Sequence, residues 1–82
     1  MKYVVYLIIT SAKNKTISYV GYTNNIDKRL KLHNSSKGAK FTKGKKWKLV
    51  YYEIYDSKID AMKKEYSLKK NYNLRNKLKR LK

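Results

Sequence analysis

Cysteine and proline are both absent from this 82-residue chain. Without cysteine, neither a disulfide nor a thiolate zinc site can brace the fold. One histidine, His33, excludes a histidine-rich metal cage. Three glycines and no proline exclude a linker or a low-complexity segment. Acid is scarce: Asp+Glu number 5 against Lys+Arg 22, a formal net charge of +17. No apolar stretch approaches the ~18–20 residues of a membrane span. The run from Tyr3 to Ile9 is short for a signal peptide and carries two tyrosines, so it reads as a buried strand.

What is present bounds the rest. The length predicts one domain over residues 1–82 with a modest core. Apolar residues make up 41% of the chain, enough for a folded protein. So much positive charge repels itself in a compact state, and a polyanionic partner is the economical explanation. Nucleic acid comes first. An anionic membrane surface fits poorly, because the basic residues do not organise one long amphipathic helix. A cytoplasmic protein is the expected setting.

Periodicity predicts the element order β-β-α-β-α-α. Residues 2–10 form a β-branched apolar run with both faces covered. A polar turn over Ser11 to Lys15 leads into a second strand over Thr16 to Tyr22, an antiparallel hairpin. Gly21 near its end suits a bulge or a close backbone approach. A helix is expected over Asn25 to Asn34, capped by Asn24 with Asp27 in its first turn. A lysine-rich loop follows from Lys37 to Lys48, then a third strand over Leu49 to Tyr55. Ser57 caps a second helix reaching Lys70, and Asn73 to Leu81 reads as a third. The crossover to the third strand does not fix that strand's direction.

The residues able to carry chemistry are few. Glu65 lies on a helical wheel between the Ala61/Leu68 stripe and Met62, away from the lysine face. A carboxylate there needs a partner. A hard cation is one; an i,i+4 ion pair with Lys69 is the other, and by spacing alone the commoner one. Tyr6 and Tyr19 sit on adjacent strands, as a cross-strand aromatic pair or with their hydroxyls converging at one end of the sheet. Arg29 and His33 project from one helix face, which is either solvated or set to meet phosphate. Lys37, Lys40, Lys43, Lys45, Lys46 and Lys69 suit backbone phosphates, with Phe41 or Trp47 available to stack on a base. Trp47 reads better as a core-edge anchor at the start of the third strand.

The ordered set Val4-Val5-Tyr6, Tyr19-Val20-Gly21, Arg29, His33, Lys37-Gly38-Ala39-Lys40, Leu49-Val50-Tyr51 and Ala61…Glu65…Leu68-Lys69 resembles the GIY-YIG nuclease superfamily, and most of all its small stand-alone bacterial members. The resemblance runs from about residue 3 to 81. It implies an α+β fold, a three-stranded antiparallel sheet flanked by helices. It implies a metal-dependent phosphodiesterase, an endonuclease on DNA directed by structure or context in repair or processing. By carry-over, the catalytic set is Tyr6, Tyr19, Arg29 and His33, with Glu65 the ligand of Mg²⁺ or Mn²⁺. Gly21 is the glycine that lets backbone come close to the site. The five side chains are expected to line one concave, electropositive hollow. Val4 stands where the family's first motif has glycine, and valines replace isoleucine at positions 5 and 20. No separate DNA-recognition domain accompanies the motifs. That leaves sequence specificity to a partner protein, and keeps open the alternative of a non-catalytic nucleic-acid-binding module within a larger assembly.

Overall fold

A computed structural model describes residues 2–12, 14–35, 37, 40–42 and 44–80. Three strands, β1 (Tyr3–Ala12), β2 (Lys15–Thr23) and β3 (Lys48–Tyr55), form one sheet in the order β2-β1-β3. Both pairings are antiparallel, which supplies the direction of β3. Three helices complete the chain: α1 (Ile26–Asn34), α2 (Lys58–Lys70) and α3 (Tyr72–Lys79). A 3₁₀ turn at Lys40–Thr42 interrupts the connection from α1 to β3.

β1 is the central strand because its residues are apolar on both faces. Val5, Leu7 and Ile9 point to one side, where they join Val20, Ala61, Leu68 and Leu78 under α2 and α3. Tyr6 and Ile8 point to the other, where Trp47, Ile17, Tyr19, Ile26, Leu30 and Leu49 close over them. Each fully buried aliphatic side chain contributes about 1.5–3 kcal/mol. The two layers make a sandwich with β1 as its filling, and the edges of β2 and β3 stay at the rims.

Local signals end the elements somewhat differently from the sequence expectation. The hairpin is tighter, since Ala12 already pairs with Lys15. Asn14 takes the positive φ of 67° that the turn demands, which asparagine tolerates better than most residues. The cap of α1 is Asn25, not Asn24: its side chain accepts from the Lys28 N–H at 3.1 Å. Asn24 instead lines a surface hollow. Ser57 caps α2 as expected, accepting from the Asp60 N–H. Asn71 both ends α2 and caps α3, so α3 starts at Tyr72, one residue before the predicted start. Leu74 and Leu78 dock α3 on the core; Leu81, the third expected anchor, lies outside the described residues.

Candidate active site

The α1 side of the sheet holds most of the chemistry. Tyr6 and His33 are 1% and 0% exposed. The Tyr6 hydroxyl lies 2.8 Å from Nε2 of His33. On the other side of the ring, Nδ1 lies 2.8 Å from Oγ1 of Thr42, a residue also fully buried. The result is a three-member chain, phenol to imidazole to hydroxyl, running from β1 through α1 into the 3₁₀ turn.

Gly21 makes room for it. Gly21 pairs with Tyr6 across the β1–β2 ladder. A Cβ on Gly21 would stand 2.5 Å from the Tyr6 hydroxyl oxygen and 2.7 Å from its ring carbon Cζ. The phenol therefore crosses β2 over the one residue without a side chain, and that sends its hydroxyl toward the sheet rim. The close approach expected at Gly21 is made by a tyrosine ring.

Electrostatics tie the remaining side chains to this hydroxyl. Burial pushes the Tyr6 pKa up to about 12, even though the Arg29 guanidinium pulls it back by hydrogen bonding and by charge. Tyr19 and the Glu65 carboxylate add to the upward push. Arg29, Tyr19 and Glu65 thus act on one phenol from α1, β2 and α2. Burial and the Arg29 charge both lower the pKa of His33, which keeps its imidazole neutral at neutral pH. Tyr19 packs edge-on against His33, with centroids 5.2 Å apart. Tyr19 and Tyr6 are not direct cross-strand partners, since Tyr19 faces Ile8; His33 sits against both rings.

Glu65 is at the margin of the apolar stripe. Ala61 and Leu68 are buried, but Met62 is exposed. The Glu65 side chain is 21% exposed and meets Lys69 at 3.6 Å, the i,i+4 pair allowed by the spacing. Among the described residues, no group of three or more His, Cys, Asp or Glu gathers to hold a metal. A hard cation needs no such group: Mg²⁺ takes one or two protein carboxylates and fills its shell with water and phosphate oxygens.

The five side chains expected to share a hollow are Tyr6, Tyr19, Arg29, His33 and Glu65. A surface hollow of about 330 Å³ is lined by Tyr3, Tyr22, Thr23, Asn24, Arg29 and Lys58, so Arg29 alone of the five reaches it. Tyr6 and His33 lie beneath the surface because the sheet and α1 close over them. Lys58, at the start of α2, brings a second cation to this hollow, and its helical register gave no hint of that.

The basic loop divides. Lys37 and Lys46 are exposed. Lys45 reaches back to the Phe41 carbonyl at 3.4 Å and lies over the Phe41 ring. Lys69 is paired with Glu65. Lys43 and the Lys40 side chain lie outside the described residues. Trp47 is buried and donates its indole N–H to the Thr42 carbonyl at 3.0 Å, so it anchors the core edge and is not available to a base. Phe41, 52% exposed and stacked on Tyr19, is the accessible ring of the two.

Comparison with known proteins gives the family. The sequence model of the GIY-YIG catalytic domain matches residues 2–79. The chain belongs to the GIY-YIG family. That family is one of nucleases, and its substrate is nucleic acid. Among curated proteins, the chain is 44% identical over 66 residues to a UPF0213 protein of Clostridium perfringens, covering 79% of this chain and 70% of that one. It is 47% identical over 66 residues to a UPF0213 protein of Bacillus licheniformis, covering 79% and 67%. The solution NMR structure of a UPF0213 protein from Bacillus halodurans matches with a TM-score of 0.53 at 37% identity, covering 100% of this chain and 86% of that one. The small three-stranded GIY-YIG fold of this chain is therefore that of the UPF0213 proteins. Among the described residues, no helix is long and apolar enough to cross a membrane.

Proposed function

We propose that this protein is a divalent-metal-dependent endonuclease that hydrolyses DNA phosphodiesters, selecting its target by structure or context. One observation carries the reading: a single buried phenol, bonded to a neutral imidazole, on which an arginine, a second tyrosine and a carboxylate all act.

The chain's own residues divide the work. A phenol of pKa about 12 does not ionise by itself near neutral pH. It can relay instead. The attacking water gives a proton to the Tyr6 oxygen as the Tyr6 O–H proton passes to Nε2 of His33. The water oxygen bonds to phosphorus, the bond from phosphorus to the leaving sugar oxygen breaks, and that oxygen takes a proton from solvent. Arg29 carries a fixed charge suited to the phosphoryl oxygens as their negative charge grows. Tyr19 packs edge-on against His33 and holds the ring in place. Mg²⁺ or Mn²⁺, held by Glu65, would offset charge on the phosphate and on the leaving oxygen. Exposed Lys37 and Lys46 suit backbone phosphates of the flanking nucleotides.

Purified protein incubated with nicked, branched and single-stranded DNA in Mg²⁺ or Mn²⁺ tests the reading. The expected result is cation-dependent cleavage that falls ~10²–10³-fold in Glu65→Gln. Undiminished cutting by that variant would remove Glu65 from the mechanism. The Glu65–Lys69 ion pair favours a second reading, a non-catalytic nucleic-acid-binding module in which the carboxylate is already occupied. Steeply salt-dependent DNA binding with no cleavage in any cation, and equal binding by Glu65→Gln, would select that reading.

A further inference from the structure

We propose that Thr42 is a positioning residue for the Tyr6–His33 pair: its hydroxyl, able both to donate and to accept, keeps Nδ1 of His33 partnered before and after a proton arrives at Nε2. This inference rests on the relay described above, but it can be tested without it.

A buried imidazole with bonds at both nitrogens has its ring orientation fixed, but not its tautomer. Nε2 faces the Tyr6 hydroxyl and Nδ1 faces Oγ1 of Thr42, each at 2.8 Å. To take the Tyr6 proton, Nε2 must present its lone pair, so the neutral ring must carry its hydrogen on Nδ1. That hydrogen needs an acceptor inside the protein, because His33 is fully buried. Once Nε2 is protonated, both ring nitrogens are donors and the need at Nδ1 becomes more costly to leave unmet. Thr42 is the group placed to meet it. A carboxylate in that position would raise the basicity of the ring and add a second buried charge. A hydroxyl partners the imidazole in either state.

The fold supplies this hydroxyl at some length along the chain. Thr42 lies nine residues beyond His33, past the end of α1. Two clamps keep it there. The Asn34 side chain bonds the Trp47 backbone in both directions, donating from Nδ2 to the carbonyl at 3.2 Å and accepting the Trp47 N–H at Oδ1. The Trp47 indole then donates to the Thr42 carbonyl at 3.0 Å. The loop is thereby tied at its far end and at the residue that touches His33. The charged and titratable groups facing the pair are Tyr6 of β1, Tyr19 of β2 and Arg29 of α1, with Glu65 of α2 acting on Tyr6. Burial and Arg29 both oppose a charge on His33, so an acceptor at Nδ1 offsets a penalty that nothing else in this set relieves.

His33 is the single histidine, so long-range ¹H–¹⁵N correlation spectra report its tautomer and titration without overlap. In the wild type, Nδ1 is expected to carry the hydrogen in the neutral ring, with a midpoint below 6.5. In Thr42→Val, the hydrogen is expected to move toward Nε2 and the midpoint to fall further. In the cleavage assay, Thr42→Val should lose roughly tenfold to a hundredfold in kcat. The acid limb of its pH–rate profile should move to lower pH, and KM should change little. Thr42→Ser, which keeps the hydroxyl, should restore the tautomer, the acid limb and most of kcat. A Thr42→Val spectrum identical to wild type overturns the proposal, as does an acid limb that stays in place while only the amplitude falls. If Thr42→Val does not fold, the wild type decides by itself: a neutral ring carrying its hydrogen on Nε2 overturns the proposal. Absence of cleavage by wild type would count against the nuclease reading and leave the spectroscopic test of Thr42 intact.

Discussion

Two tyrosine clusters occupy opposite faces of the same three strands, and they differ in what meets the phenol. On the α1 face, Tyr6 is fully buried against a neutral imidazole and beside an arginine. On the α2 face, Tyr51 and Tyr55 both donate to Glu53, which Lys64 approaches at 3.5 Å. Tyr6, Tyr51 and Tyr55 are each pushed up to about 12, with burial the largest cause. At Tyr51 and Tyr55 the hydrogen bonds to Glu53 and its charge raise the phenol further, while those two bonds hold the Glu53 carboxyl below the usual range. At Tyr6 the arginine opposes the rise, and the partner imidazole can take a proton. A phenol clamped to a carboxylate is locked in its protonated state and serves structure. A phenol between a base and a cation is one end of a path for protons. Residue type is the same in both places; the sign of the neighbouring charge separates the roles.

The sharpest way to break this comparison is to remove each hydroxyl. Tyr6→Phe should lower single-turnover cleavage by ~10²–10⁴-fold, while Tyr51→Phe and Tyr55→Phe should cut at the wild-type rate. Equal losses at all three would erase the distinction. Gly21→Ala comes next. Its methyl would meet the Tyr6 hydroxyl at 2.5 Å, so the ring must move. Urea unfolding should show a loss of about 1–3 kcal/mol, and cleavage should fall with it. The pH dependence of stability sharpens the contrast further. A tyrosine whose folded pKa is about 12 instead of 10.0 stabilises the fold below pH 10, and that stability is lost as pH rises from 10 toward 12. For buried Tyr6 the loss is about 2–3 kcal/mol, so Tyr6→Phe should flatten part of the alkaline limb seen by circular dichroism. The smallest effect belongs to Glu53. Its folded pKa is depressed, so its contribution is present above pH 4.5 and is lost as pH falls through the folded value. The group is partly exposed, so Glu53→Gln should cost only about 0.5–1 kcal/mol in urea titrations, with cleavage unchanged.

Elements were more legible in the sequence than the site was. The apolar run over Tyr3 to Ile9 marks the central strand because both of its faces must be covered. Ile26 and Leu30 place α1 on the sheet by spacing alone. The cap Ser57 is a local signal, whereas Asn71 was not read as a cap, and Asn24 and Asn25 are adjacent and chemically equal, so only the chain path chooses between them. Tyr6, Tyr19, Arg29, His33 and Glu65 were legible as an ordered set, carried by resemblance and not by any single spacing. Thr42 had no signal. It stands among lysines in a loop, and nothing in a period of two or 3.6 residues links position 42 to position 33. Lys58 was likewise invisible, since its neighbours in the hollow come from β1, β2 and α1. The burial of Tyr6 and His33 was illegible for a related reason: helix spacing shows which residues share a face, but not how deep that face lies.

By itself, the sequence determined the order of elements, the basic surface and the residue types available for chemistry, because periodicity, capping and net charge are local or additive properties. Tertiary structure alone decided that Tyr6 runs over Gly21, that a threonine from a distant loop backs the only histidine, and that Glu65 acts on the same phenol from the opposite helix. Those relations depend on distances of a few ångströms between segments far apart in the chain, and such distances are set only when both faces of the central strand are packed.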